Sequence, residues 1–241
     1  MKKGKTRVLA LALAFLCVCG TAACSSKEGG SSSSTEKTSS AGSAASSKQA
    51  NAKPSGELTQ ESLKSYPVTP ESQFITKDVS GGVSVKRCKS KDEVVVVPKT
   101  MKGKPVVEIG QLAMANMEKC KGIILLGNVE KMDYCSFAND TKLEYVDLGK
   151  ELKIVSEAAF TGCSELRTVT FPEGMTTLND GTSGSVFFGN NKLGEVYIPA
   201  SVTKIVHAFR HESCPNAVIV TPAGSAAEKW AKANNVPVKN Q

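Results

Sequence analysis

From about residue 93 to residue 220 the apolar positions recur in a fixed order. Between Leu143 and Leu166 they fall at Leu143, Val146, Leu148, Leu152, Val155, Ala159, Phe160 and Cys163, and the order then restarts. Phe137 and Phe160, Leu143 and Leu166, Val146 and Val169, and Leu148 and Phe171 all stand 23 residues apart. A period of that size marks a solenoid, because one copy cannot bury its apolar face alone and has to stack on its neighbours. Five copies are readable, opening at Val95, Cys120, Leu143, Leu166 and Leu193. The first has an enlarged loop at Lys102-Gly103-Lys104-Pro105, the fourth carries four extra residues within 179–185, and the fifth closes on Ala208-Phe209.

Each leading triplet, such as Leu143, Val146 and Leu148, ends in a period of two, which predicts a short β-strand with alternate side chains inward. Stacking sets these strands in parallel about 4.8 Å apart, as one continuous sheet. The second pair, Leu152 and Val155, turns the chain back. Ala159-Phe160 then packs the return arm, with Phe filling the interior between coils. Strand positions between the inward residues face out: Ile124 with Gly122, Tyr145 with Asp147, Thr168 with Thr170, and Glu195 with Tyr197. Tandem strands make them a patch suited to hydrogen bonding and stacking on an extended partner. Thr and Tyr are also good strand formers, so each taken singly reads first as an ordinary sheet residue.

The ends differ from the repeats. Residues 56–92 read as an N-terminal cap, with a short helix at Leu58 to Lys64 capped by Thr59 and stopped by Pro67 and Pro70. A hairpin follows around Gly81-Gly82, with Val79, Val83 and Val85 facing one way. Residues 221–241 read as a C-terminal helical cap. There Ser225 is the N-cap, Glu228 completes a capping box, Trp230 anchors the helix over the last coil, and Val236 and Val238 add a final strand.

Ahead of the repeats the pattern is that of export. Residues 1–7 are basic, Val8 to Val18 is apolar, and Thr21-Ala22-Ala23 precedes Cys24. The apolar run falls short of the ~20 residues that span a bilayer. Small residues before a Cys resemble a bacterial lipoprotein cleavage box, with Thr21 where Leu is usual. Residues 1–23 are thus read as a signal peptide and Cys24 as the lipid attachment site, giving a membrane anchor at the outer face of a bacterial membrane. Residues 24–55 are Ser/Ala-rich, lack large apolar side chains and read as a disordered tether.

Composition narrows the chemistry. The chain of 241 residues carries a formal charge of +7, but four of its 30 basic residues lie in residues 1–7, leaving 26 against 23 acidic ones. That balance of +3, with no basic stripe, gives no reason to expect a nucleic-acid partner. After Cys24 come Cys88, Cys120, Cys135, Cys163 and Cys214, an odd number with no CxxC pair. Buried thiols are expected, with one disulfide open to an exported chain. His207, His211 and Cys214 are spaced so that a helix would bring them to one metal. Against that, Ala208-Phe209 repeats the return arm, which makes the segment a short turn and its polar groups surface. No zincin motif, nucleophile elbow or phosphate-binding loop is present, so no catalytic residues or cofactors are assigned.

The repeats resemble the BspA-like bacterial leucine-rich repeat. The strand pattern appears as Leu166-Val169-Phe171-Pro172, the turn as Val106-Ile109-Gly110, and the arm as Ala159-Phe160-Cys163. Departures are Met114 for Phe, and Met117, Asp140 and Asn190 for the arm Cys. The resemblance implies a repeat solenoid, mainly β with short helical turns: a leucine-rich repeat right-handed coil with a parallel sheet and capped ends. It also implies a cell-surface adhesion or binding role toward an extracellular protein or glycan. The competing classes are a structural component of the envelope and an enzyme built on His207, His211 and Cys214.

Overall fold

The computed structural model describes residues 58–241. The expected signal peptide, the lipid attachment expected at Cys24 and the expected tether lie outside the described residues. Strands β1 (Phe74–Val79) and β2 (Gly82–Cys88) form the expected antiparallel hairpin. Val83 and Val85 are fully buried, whereas Val79 sits beside the turn and stays half-buried. Next come β3 (Val94–Val97), β4 (Thr100–Met101) and β5 (Lys104–Ile109). The enlarged loop of the first copy is itself a hairpin of β4 and β5, because Lys102 and Gly103 take positive φ (53° and 71°), the backbone of a tight two-residue turn.

The coils then repeat as pairs of short strands. They are β6 (Gly122–Leu125) with β7 (Lys131–Met132), β8 (Tyr145–Asp147) with β9 (Ile154–Val155), β10 (Val169–Thr170) with β11 (Thr177–Leu178), and β12 (Glu195–Tyr197) with β13 (Lys204–Ile205). A sixth coil, one more than the five readable copies, supplies β14 (Val218–Thr221). Helix α1 (Ala226–Ala233) and β15 (Val238–Asn240) close the end.

Leading strands stack in parallel as β3-β6-β8 and as β10-β12-β14-β15. The expected continuous sheet is interrupted between β8 and β10, where Arg167 N–H still donates to the Glu144 carbonyl (3.2 Å) and the Arg167 side chain reaches back to Glu144 (3.2 Å). A second correction concerns Leu152 and Val155. That pair does more than turn the chain: β2, β5, β7, β9, β11 and β13 form a second parallel sheet, in which Met132, Val155, Leu178 and Ile205 stand side by side. A two-residue strand is too short to show alternation in sequence, but a 23-residue period places its copy within hydrogen-bonding reach on the next coil.

One interior lies between the sheets. Leu143, Leu166 and Leu193 are wholly buried there. Phe137, Phe160, Phe187 and Phe209 form a column with ring centroids 5.5, 5.4 and 5.0 Å apart, and Trp230 of α1 meets its end at 5.9 Å. Trp230 therefore anchors the cap as expected. Ser225 Oγ accepts from the Glu228 N–H (3.1 Å), but the Glu228 carboxylate accepts from Gly224 N–H, one residue before the position a capping box uses. Lys232 and that N–H hold the Glu228 carboxyl down at about 2.

The first three return arms turn through left-handed residues at fixed places. Leu112, Cys135 and Ala158 hold one such position, and Asn116, Asn139 and Gly162 the other, four residues on. The arm position where the repeat favours Cys is interior throughout. Cys163 Sγ bonds the Phe137 carbonyl (3.1 Å), and Cys214 bonds the Phe187 carbonyl. Asp140 takes the same place with no exposed surface. Its Oδ1 accepts from Met117 N–H (2.7 Å), its Oδ2 has no partner, and burial pushes its pKa up to about 8.

Candidate functional site

The outward face of the leading strands is built by alternation: the inward positions Ile123, Val146, Val169 and Val196 fix which neighbours point away from the interior. The eight residues expected on that face do not share one environment. Ile124 is buried, 4% exposed, and this corrects its assignment to an open surface. The cause is the segment before the hairpin. Its first part forms a short 3-10 turn, Ser62–Ser65, in place of the longer helix expected from Leu58 to Lys64. The turn lies over the outward side of β3 and β6, where Leu63 is wholly buried and Leu58 and Tyr66 pack around Val94, Val96 and Ile124. Gly122 receives it, since a Cβ there would collide with Leu63 Cδ2. Thr69 then pairs with the free edge of β3, accepting from Val96 N–H at its Oγ1 (3.0 Å) and donating its own N–H to the Val96 carbonyl (3.0 Å).

Tyr145 borders this covered patch and packs against it, so it serves both the fold and the surface. The Arg167 guanidinium lies 6.0 Å from its ring centroid, a distance at which the ring quadrupole attracts a cation. Asp147 is committed to a turn, accepting from Gly149 N–H (3.0 Å).

Beyond β8 the face is open and polar on β10 and β12, whereas β14 turns Val218 and Val220 outward beside them, in register with Glu195 and Tyr197. Thr168 Oγ1 donates to the Glu195 carbonyl (2.8 Å), tying two coils, while Thr170 is exposed. Glu195 accepts from the Tyr197 hydroxyl (2.6 Å) and from Lys239 Nζ of the final strand (2.8 Å). Those bonds, led by that from Lys239, hold the Glu195 carboxyl below its ordinary value, and the carboxylate raises both Tyr197 and Lys239. Arg167, Glu144 and Lys239 were not among the expected residues. Lys239 was legible, because an inward Val238 on a terminal strand leaves its successor facing out.

The other candidate cluster is not assembled. His207 is exposed, with a positive φ of 41°, whereas the Cys214 thiol is buried and turned toward the Phe187 carbonyl. Burial pushes that thiol up to about 11, the reverse of what a thiolate ligand needs. Among the described residues no three of His, Cys, Asp and Glu are placed to hold a metal. Cys88, Cys120, Cys163 and Cys214 are free thiols.

Residues 95–215 match the family described as "BspA type Leucine rich repeat region", in six copies. The fold is similar to that of the T. pallidum leucine rich repeat protein TpLRR, at 25% identity and a TM-score of 0.59, covering 64% of this chain and 71% of that one. It is also similar to a leucine rich cell surface protein from Faecalibacterium prausnitzii, at 23% identity and a TM-score of 0.54, covering 66% of this chain and 40% of that one. No curated protein matches the sequence.

Proposed function

The chain belongs to the BspA-type leucine-rich repeat family, and from that we propose that it is a binding or adhesion module whose contact surface is the open half of the outward strand face. One observation carries the reading: Thr170 on β10, Glu195 and Tyr197 on β12 and Lys239 on β15 share one outward face, with the last three held by hydrogen bonds to one another across the intervening β14. Groups already held in place lose little freedom on binding, so an array of hydroxyls, a carboxylate and an ammonium can be spent on the partner. The partner on this reading is an extracellular protein or glycan, and the module is carried at the cell surface by a lipid on Cys24.

The test is capture on protein and glycan arrays by the exported, mature protein. Replacing Thr170 by Arg together with Tyr197→Ala is expected to lower capture at least tenfold with an unchanged unfolding temperature, and unchanged capture would overturn the reading. The anchor has its own test: Cys24→Ser is expected to release the protein from membranes and to abolish incorporation of labelled palmitate. Metal analysis of the purified protein separates this reading from an enzyme at His207, His211 and Cys214.

A further inference from the structure

The covered half of the strand face is built as a site and not merely hidden. Val94, Val96 and Ile124 form an apolar cluster that is separate from the main interior. The segment over them keeps most of its polar bonds to itself: Thr59 and Ser62 bond each other (2.9 and 3.1 Å), Ser65 Oγ donates to the Ser62 carbonyl (2.7 Å), and Lys64 pairs with Glu61 (3.0 Å). Toward the sheet it offers Leu58, Leu63 and Tyr66 and one amide, Gln60 Nε2, which donates to the Val146 carbonyl (3.0 Å). Thr69 is pinned to β3, and between it and Tyr66 stand Pro67 and the half-exposed Val68. The segment can therefore swing away about Pro67-Val68 without opening the interior or freeing the edge of β3. Its departure bares an apolar strip beside the polar half of the same face.

We infer that this strip is a peptide-binding site whose resting occupant is the chain's own segment 58–66, and that a partner protein displaces it with a segment of the same chemistry. The fit specifies that segment. It carries two leucines five residues apart, the second seated against Gly122, an aromatic three residues further on, and an amide side chain between the leucines to reach the Val146 carbonyl. This is groove recognition by a short turn with spaced apolar anchors, and it rests on the outward strand face being the contact face.

The experiment uses the full chain and a fluorescent synthetic peptide with the sequence of residues 57–67. Leu63→Ser loosens the resident segment. That variant is expected to bind the peptide at least tenfold more tightly than the wild type, and a peptide with the same Leu→Ser change is expected not to bind. Equal affinity of wild type and variant would overturn the inference. Hydrogen exchange on the wild type needs no variant. The amides of Leu63 and Tyr66 are expected to exchange at least a hundredfold faster than those of Val96 and Ile124, and equal protection would overturn it. The double variant Thr170→Arg, Tyr197→Ala is expected to keep peptide binding in the Leu63→Ser background. Loss of array capture and loss of peptide binding are thus separate outcomes, one bearing on the open half and one on the covered half.

Discussion

The two halves of the strand face share a backbone and differ in what they show to solvent. On β3 and β6 the outward positions are Val94, Val96 and Ile124, and a segment from outside the repeats lies over them. On β10 and β12 they are Thr170, Glu195 and Tyr197, which are exposed or half-buried, with the Lys239 side chain reaching across to Glu195. A parallel ladder fixes only that these side chains leave the interior. Whether they meet water or another part of the chain follows from their polarity, because an exposed strip of Val and Ile drives any apolar segment within reach onto it. The interior beneath does not follow that division: the arm position holds Met117 and Asp140 toward the covered half and Cys163, Asn190 and Cys214 toward the open one, all of them buried.

Three substitutions sharpen that contrast. The largest effect belongs to the interior common to both halves. Phe160, between Phe137 and Phe187 in the column, is expected to cost about 3–5 kcal/mol when changed to Ala. A loss below about 1 kcal/mol in chemical denaturation would remove it from the shared core.

Asp140 comes next. Its folded pKa of about 8 exceeds the ordinary 3.8, so the folded state keeps a proton that the unfolded chain releases. Stability is therefore expected to be highest below the unfolded value and to fall as pH rises toward 8, by up to about 1.4 kcal/mol per pH unit. Asp140→Asn keeps an acceptor for Met117 N–H and should flatten that slope. Denaturation midpoints at pH 5, 6 and 7 check it, and equal slopes in both proteins would contradict the buried, protonated carboxyl.

The smallest effect is local to an arm. Ala158 has φ of 59°, which disfavours any residue with a Cβ, and Ala158→Gly is expected to raise stability by about 0.5–1 kcal/mol. The equivalent turn one coil on already uses the inserted loop, whose Thr182 N–H bonds Glu157 Oε2 (3.1 Å). A destabilised Ala158→Gly would show that loss of the methyl's packing outweighs the relieved strain.

Much of this architecture was readable beforehand for a specific reason. The 23-residue spacing of Leu143, Val146, Phe160 and their copies states which atoms avoid water, and stacking satisfies all copies of a repeating chain at once. Ser225 and Trp230 were readable because capping and the closing of an apolar end are local demands, whereas the Glu228 carboxylate took the Gly224 N–H in place of the one a capping box uses. The site was less so. Thr168 and Glu195 were identified as outward, but their bond to each other joins separate coils. Tyr145 was identified as outward, but its packing against residues far ahead of it in the chain was not.

Periodicity and local stereochemistry thus determined the solenoid, its rungs and its C-terminal cap, since each needs only near neighbours or the next copy. Three features were settled by contacts across the fold: the second sheet, the raised carboxyl of Asp140, and the seating of Leu63 over Gly122 and Ile124. An alternating pattern says that a side chain turns outward, but what meets it there depends on which distant segment the folded chain brings alongside.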